Sequence, residues 1–293
     1  MANNNRTILV TGATGHQGGA AFHRLRQRGF ALRALVRNPE KPEARELEGS
    51  GVEVLRGDFD DPESIRRALD GADGAYSVQA WQAGPEAESR QGIAFAEAAS
   101  RQEIGHFVYS SVAAADGNTG IPHFESKGKI ENRIRQIGMP YTIFRPVFFM
   151  ENWLTMRGGI DKGAIMLPLS PQTRLQMIAV EDIGAFVALA FEHPGHWRNR
   201  AFELAGDELS MAELAEAFSR ASGREVQYRQ VPWDEFEQRA GHEMTLMYRW
   251  FEEKGYDIDI PAVRQQYPEL TTFNRWLEQK WRRPAAQTAS TRS

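Results

Sequence analysis

The sequence has no cysteine, which excludes disulfides, thiolate metal sites and a cysteine nucleophile. That absence fits a reducing compartment. Long hydrophobic runs are also lacking, and nothing approaches the ~18 to 20 apolar residues that a bilayer-spanning helix needs. The polar start, Met1 to Arg6, has no apolar stretch of signal-peptide type, so export and membrane insertion are not expected and a cytoplasmic location is. Basic charge is short too. A formal net charge of -4 leaves no footprint for binding a phosphate backbone, which argues against direct contact with nucleic acid. No metal site is expected. Low complexity is confined to residues 284–293, rich in Ala, Ser and Thr, which read as a flexible tail.

What is present is an alternation of short apolar runs with helix-length amphipathic segments, from residue 7 to about residue 146. Strands are expected near Ile8 to Val10, Leu32 to Val36, Val52 to Leu55, Gly74 to Val78, His106 to Ser110 and Tyr141 to Phe144. Six strands separated by helices predict an α/β fold with a doubly wound parallel sheet. Before the sixth strand, Ile130, Ile134 and Ile137 form one buried stripe of a helix that carries Lys127 in an early turn. After Pro146 the rhythm loosens. Helices are expected over Glu181 to His193, Ser210 to Ala221 and Met244 to Lys254, the second opened by a capping box of Ser210 and Glu213. The expected organisation is a dinucleotide-binding domain over 1–146 and a smaller mixed cap over 147–283 that may return strands to the main sheet, followed by the tail.

The strand Ile8 to Val10 runs into Thr11-Gly12-Ala13-Thr14-Gly15-His16-Gln17-Gly18, and then into an apolar helix face through Ala21, Phe22 and Leu25. Strand, loop and helix fall where a Rossmann pyrophosphate site needs them. Gly12 turns the chain, Gly15 lets the backbone approach the pyrophosphate, and Gly18 lets the helix pack on the sheet. An NAD site usually has an acid about 20 positions after this loop, accepting from the ribose hydroxyls. Here Arg37 stands there instead, with Lys41 close by. A guanidinium binds a 2′-phosphate in bidentate fashion, so the expected cofactor is NADP(H). Asp58 and Phe59, after the third strand, are candidates for an adenine contact, and Asp58 reads equally as the start of a turn.

This loop, with Val36-Arg37-Asn38, resembles the NmrA-like family, atypical members of the short-chain dehydrogenase/reductase superfamily. Further blocks carry the likeness: Pro122 to Lys127, Arg145-Pro146 through Asn152, Ala179 to Gly184, and Trp250-Phe251 through Phe273 to Leu277. The resemblance implies a Rossmann domain with a small C-terminal domain, a ligand cleft between them, and NADP(H) over NAD(H), with Pro146 beside the cofactor. It also implies roles for Lys127, the family lysine that holds the nicotinamide ribose, and for Ser110 or Ser111, where the superfamily places its catalytic serine. The superfamily's tyrosine, four residues before the lysine, is replaced by His123.

His123 reads first as a cap for the helix beginning there and second as an imidazole proton donor. Six of the seven tryptophans follow Pro146, and they read first as core and second as the lining of an aromatic-substrate pocket. Two function classes follow from these residues and the resemblance. One is an NADPH-dependent reductase of a conjugated, quinone or aromatic small molecule. The other is an NADP(H)-sensing redox regulator that binds a protein partner with little turnover. Oligomeric state is left open.

Overall fold

The computed structural model describes residues 4–80 and 83–281, so the tail expected at 284–293 lies outside them. Within those residues the chain forms two units. The first runs to Val147 and includes Val180–Leu204; the second comprises Phe148–Ala179 and the residues from Ala205 onward.

In the first unit, β1 (Asn4–Thr11), β2 (Phe30–Val36), β3 (Glu53–Arg56), β4 (Gly74–Ser77), β5 (His106–Ser110) and β6 (Tyr141–Pro146) pair in parallel. A further strand, Arg200–Leu204, adds in parallel beyond β6. The seven-stranded order is β3-β2-β1-β4-β5-β6 and then Arg200–Leu204. Five helices link the first six strands: α1 (His16–Gln27), α2 (Pro42–Gly49), α3 (Pro62–Leu69), α4 (Pro85–Arg101) and α5 (Pro122–Ile137). This is the doubly wound sheet expected from the alternating pattern.

Successive side chains of a strand point to opposite faces, so the central strands serve two cores. Leu9 packs with Ile65, Phe95, Phe107, Ile130 and Ile134, under α3, α4 and α5. On the other side, α1 lies against the helix Val180–Glu192. Their approach is so close that a Cβ on Gly184 would sit 2.5 Å from the Ala20 carbonyl oxygen. Local chemistry sets the helix ends. Asp61 accepts from the N–H groups of Glu63 and Ser64 at the start of α3, with Pro62 as its first residue. Gly138 ends α5 in the left-handed conformation, at φ 77°.

In the second unit, Arg174–Ile178 pairs antiparallel with Asp207–Ser210 and parallel with Phe148–Phe149. A separate parallel pair joins Ala164–Leu167 to Gln227–Gln230. Helix Met211–Ser222 begins with the expected capping box between Ser210 and Glu213. Trp153, Phe218, Phe273, Trp276 and Trp281 build the core, and Tyr248 and Phe251 of helix His242–Glu253 join it. The core reading therefore describes Trp153, Trp276 and Trp281, and Trp197 is buried within the first unit.

Candidate functional site

Because all strands of the large sheet run one way, the carboxyl ends of β1 to β6 share one edge. The chain winds outward from β1 to β3 and then resumes on the opposite side at β4, so the topological switch falls between β1 and β4. Ligands of open α/β sheets bind at that place. The two strands are stitched there: Thr11 Oγ1 accepts from the Val78 N–H at 2.9 Å and donates to the Val78 carbonyl at 3.2 Å.

The glycine loop leaves β1 at this point. Gly12 has φ +63°, and a Cβ there would lie 2.9 Å from Val78 Cγ1. A Cβ on Gly18 would lie 2.1 Å from the Gly12 carbonyl oxygen, so only glycine lets α1 pack this close to the strand. Gly15 differs. Its Cβ would meet only the Gly12 oxygen, at 3.3 Å, and the space beside it is otherwise open. Gly15 is also the N-cap of α1, and no side chain caps this helix. The first-turn N–H groups thus lack both intrahelical and side-chain acceptors, a cradle for an anion. Thr14 and His16 are exposed beside it, and Gln17 is half-buried.

Arg37 directly follows β2, and Lys41 is the N-cap of α2. Both are exposed, and neither makes an ion pair among the described residues. The nearby acid Glu40 is taken by Arg45. Asp58 follows the turn reading: its Oδ1 accepts from the Asp60 N–H at 3.0 Å, and its own N–H donates to Ser64 Oγ at 3.0 Å. Phe59 stands edge-on to Phe95, with ring centroids 5.5 Å apart.

The two serines at the end of β5 are not equivalent. Ser110 Oγ donates to Gln17 Oε1 at 2.5 Å, which ties β5 to the start of α1. Ser111 Oγ is buried with no partner. Just beyond the neighbouring strand, β4, Gln79 donates to Ser77 Oγ at 2.9 Å, and its Oε1 is likewise buried and unpartnered. Orphaned buried polar atoms cost ~1 to 3 kcal/mol each, so two at the carboxyl edge fit a polar ligand there. Pro146 closes β6 at the same edge, where its carbonyl accepts from the Ala113 N–H at 3.0 Å. Tyr76 and Tyr109 do not replace the missing phenol. Both are fully buried inside the sheet, and burial pushes both hydroxyls well above the usual tyrosine range.

Lys127 lies in the second turn of α5. A Cβ on the next residue, Gly128, would be 2.3 Å from the Ala115 carbonyl oxygen, so the helix is pressed onto the loop after β5. Lys127 Nζ donates to Glu88 Oε1 at 2.6 Å, and Ser126 Oγ donates to Glu88 Oε2. The capping expectation for His123 is overturned. Pro122 occupies the first helical position, which makes Ile121 the N-cap and puts His123 one residue inside, and the N-cap side chain makes no capping bond. The His123 ring packs edge-on against Phe124 at 4.9 Å. Glu88 and Gln79 were not candidates in the sequence reading. A glutamate in the first turns of a helix reads as a solvated dipole partner, and a lone glutamine gives no signal. Among the described residues no cluster of His, Asp or Glu could hold a metal ion, and no helix is long and apolar enough to cross a membrane.

Known proteins share this fold. A triphenylmethane reductase from Citrobacter sp., solved in complex with NADP(H), superposes with a TM-score of 0.82 at 26% identity, covering 93% of this chain and 99% of that one. The NAD(P)H azoreductase of Xenophilus azovorans is 33% identical over 223 residues, 75% of this chain and 76% of its own. Quinone oxidoreductase 2 of Escherichia coli (strain K12) is 26% identical over 235 residues, 78% of this chain and 79% of its own. The model of the NmrA-like family matches residues 4–277, and with the doubly wound sheet and its glycine loop this shows that the chain belongs to that family.

Proposed function

We propose that this protein is an NADPH-dependent reductase of conjugated small molecules such as quinones, azo compounds or other extended aromatics. The observation that carries this reading is the switch point itself. An uncapped glycine loop with open space at Gly15 shares one sheet edge with a guanidinium, Arg37, that no carboxylate neutralises among the described residues. The first-turn N–H groups of α1 would hold the pyrophosphate, Arg37 and Lys41 the 2′-phosphate, and Lys127 the nicotinamide ribose. Ser111 and Gln79 supply unpartnered polar atoms where β5 and β4 end. When bound, NADPH supplies the hydride. The named relatives, an azoreductase and a quinone oxidoreductase, support the substrate class.

The residues that are absent narrow the acceptor. Reduction of a simple ketone puts negative charge on one oxygen, and a positioned acid is worth about 10² to 10⁴ in rate there. His123 replaces the tyrosine, and Ser110 donates its hydroxyl to Gln17. Acceptors that spread the charge need that acid less. Loss of NADPH absorbance with 1,4-benzoquinone and with an azo dye is the test, set beside NADP-linked oxidation of a simple secondary alcohol. Turnover of the first two with little of the third is expected. Rapid alcohol oxidation would refute the reading. The same missing phenol favours a second reading, a redox regulator that binds NADP(H) and a protein partner, and that reading takes over if a broad acceptor panel gives no turnover.

A further inference from the structure

Two glutamates in the first unit are completely buried, and they are used differently. Glu131 is saturated by arginines: both of its oxygens accept from Arg145, at 2.9 and 2.6 Å, and Arg135 adds a 2.7 Å contact. That cluster is closed and joins α5 to β6. Glu88 comes from α4 and meets a lysine, with its second oxygen held by the Ser126 hydroxyl. The side chain of Glu88 is 0% exposed and that of Lys127 is 12% exposed, so the pair is open only on the ammonium side. An ammonium has three N–H donors. One goes to Glu88, and no second acceptor for Lys127 occurs among the described residues. Burying an ion pair contributes little net stability compared with apolar packing, so stability alone is a weak reason for this one.

We propose that Glu88 is the positioning residue for Lys127: its buried carboxylate, fixed by Ser126, holds the ammonium at one place so that the remaining N–H groups meet the distal ribose of a bound dinucleotide. The lysine side chain has four rotatable bonds, and immobilising it on binding would otherwise oppose association. Glu88 supplies that order in the free protein. The carboxylate need not touch the ligand, since it acts through the lysine. This inference rests on the assignment of Lys127 to the nicotinamide ribose.

The test compares two probes by fluorescence titration: NADPH, which carries the distal ribose, and adenosine 2′,5′-bisphosphate, which lacks it. Glu88→Gln keeps the size and one acceptor oxygen but removes the charge. It is expected to weaken NADPH binding about fivefold, the worth of one ordered hydrogen bond, and to leave the bisphosphate within about twofold. Lys127→Met should separate the probes in the same way, and Glu88→Gln added to Lys127→Met should produce no further change. Loss of fold would weaken both probes together. Should Glu88→Gln not fold, Ser126→Ala gives the second measurement, a smaller shift of the same sign for NADPH alone. If Lys127→Met separates the probes and neither Glu88→Gln nor Ser126→Ala does, the positioning role is overturned while the lysine assignment stands. If Lys127→Met fails to separate them, both fall.

Discussion

Replacing Lys127 by methionine isolates the energetics of a buried charge. The methionine stem fills much of the same volume, so packing changes little, but Glu88 loses the one cationic partner it has among the described residues and keeps the Ser126 hydroxyl. Removing one member of a buried pair costs ~3 to 5 kcal/mol, because the remaining charge is left uncompensated. Lys127 retains 12% exposure, so water can enter beside the substituted side chain and the lower end, about 3 kcal/mol, is expected. Urea unfolding followed by circular dichroism measures this, with the transition of the first unit fitted separately where the two units melt apart. Glu88→Gln in the same chain removes the stranded charge, so the double variant should recover more than half of the loss. A Lys127→Met protein within about 0.5 kcal/mol of the parent, or a double variant no more stable than the single, would refute the account of this pair.

Two other perturbations test separate parts of the molecule. Arg37→Ala breaks no internal ion pair among the described residues, so stability should hold while the affinity for NADPH falls about tenfold and that for NADH stays put; equal losses in parallel titrations would dismiss Arg37 as the 2′-phosphate ligand. His106 gives a pH signature. Burial, aided by the charges of Arg198 and Arg6, lowers its pKa from 6.5 to about 3. Thr142 Oγ1 donates to the Trp197 carbonyl at 2.9 Å, so His106 Nε2 is the donor to that hydroxyl and Nδ1 is left without a partner. Between those two pKa values the unfolded chain binds a proton that the folded chain refuses. Stability from this group is therefore full above pH 6.5 and falls as pH drops towards 3, by up to ~1.4 kcal/mol per pH unit. His106→Gln should flatten the acid limb of a plot of urea midpoint against pH, and identical limbs would show that the histidine is not the cause.

The half of the chain before Pro146 was legible because its hydrophobic period switches at each element, and because the glycine loop is dictated by backbone contacts that admit no Cβ at Gly18. The capping box at Ser210 was legible for a similar reason, since its chemistry is local. Partners distant in sequence were not. Helix Val180–Glu192 shows an apolar face in the sequence, but a face does not name what covers it, and the packing of Gly184 on Ala20 appears only in three dimensions. Ser110 and Gln17 are 93 positions apart, and nothing in either segment announces their bond. His123 was misread because a proline at the first helical position, Pro122, puts the cap two residues upstream of it, at Ile121. Glu88 sits among polar residues in a helix start, where exposure is the rule, and only the closeness of α4 to α5 buries it.

The path of the chain through the first unit bears on how it is made. The sheet is completed by Arg200–Leu204, and α1 is covered by Val180–Glu192, yet both follow Phe148–Ala179, which belongs to the other unit. A ribosome releasing the chain from its amino end exposes β1 to β6 long before the cover for α1 emerges. Until residue 192 has left the exit tunnel, α1 at Ala20 and Ala21 lacks the helix that packs on it in the finished protein. The nascent first unit is thus a sticky intermediate by construction until that helix emerges.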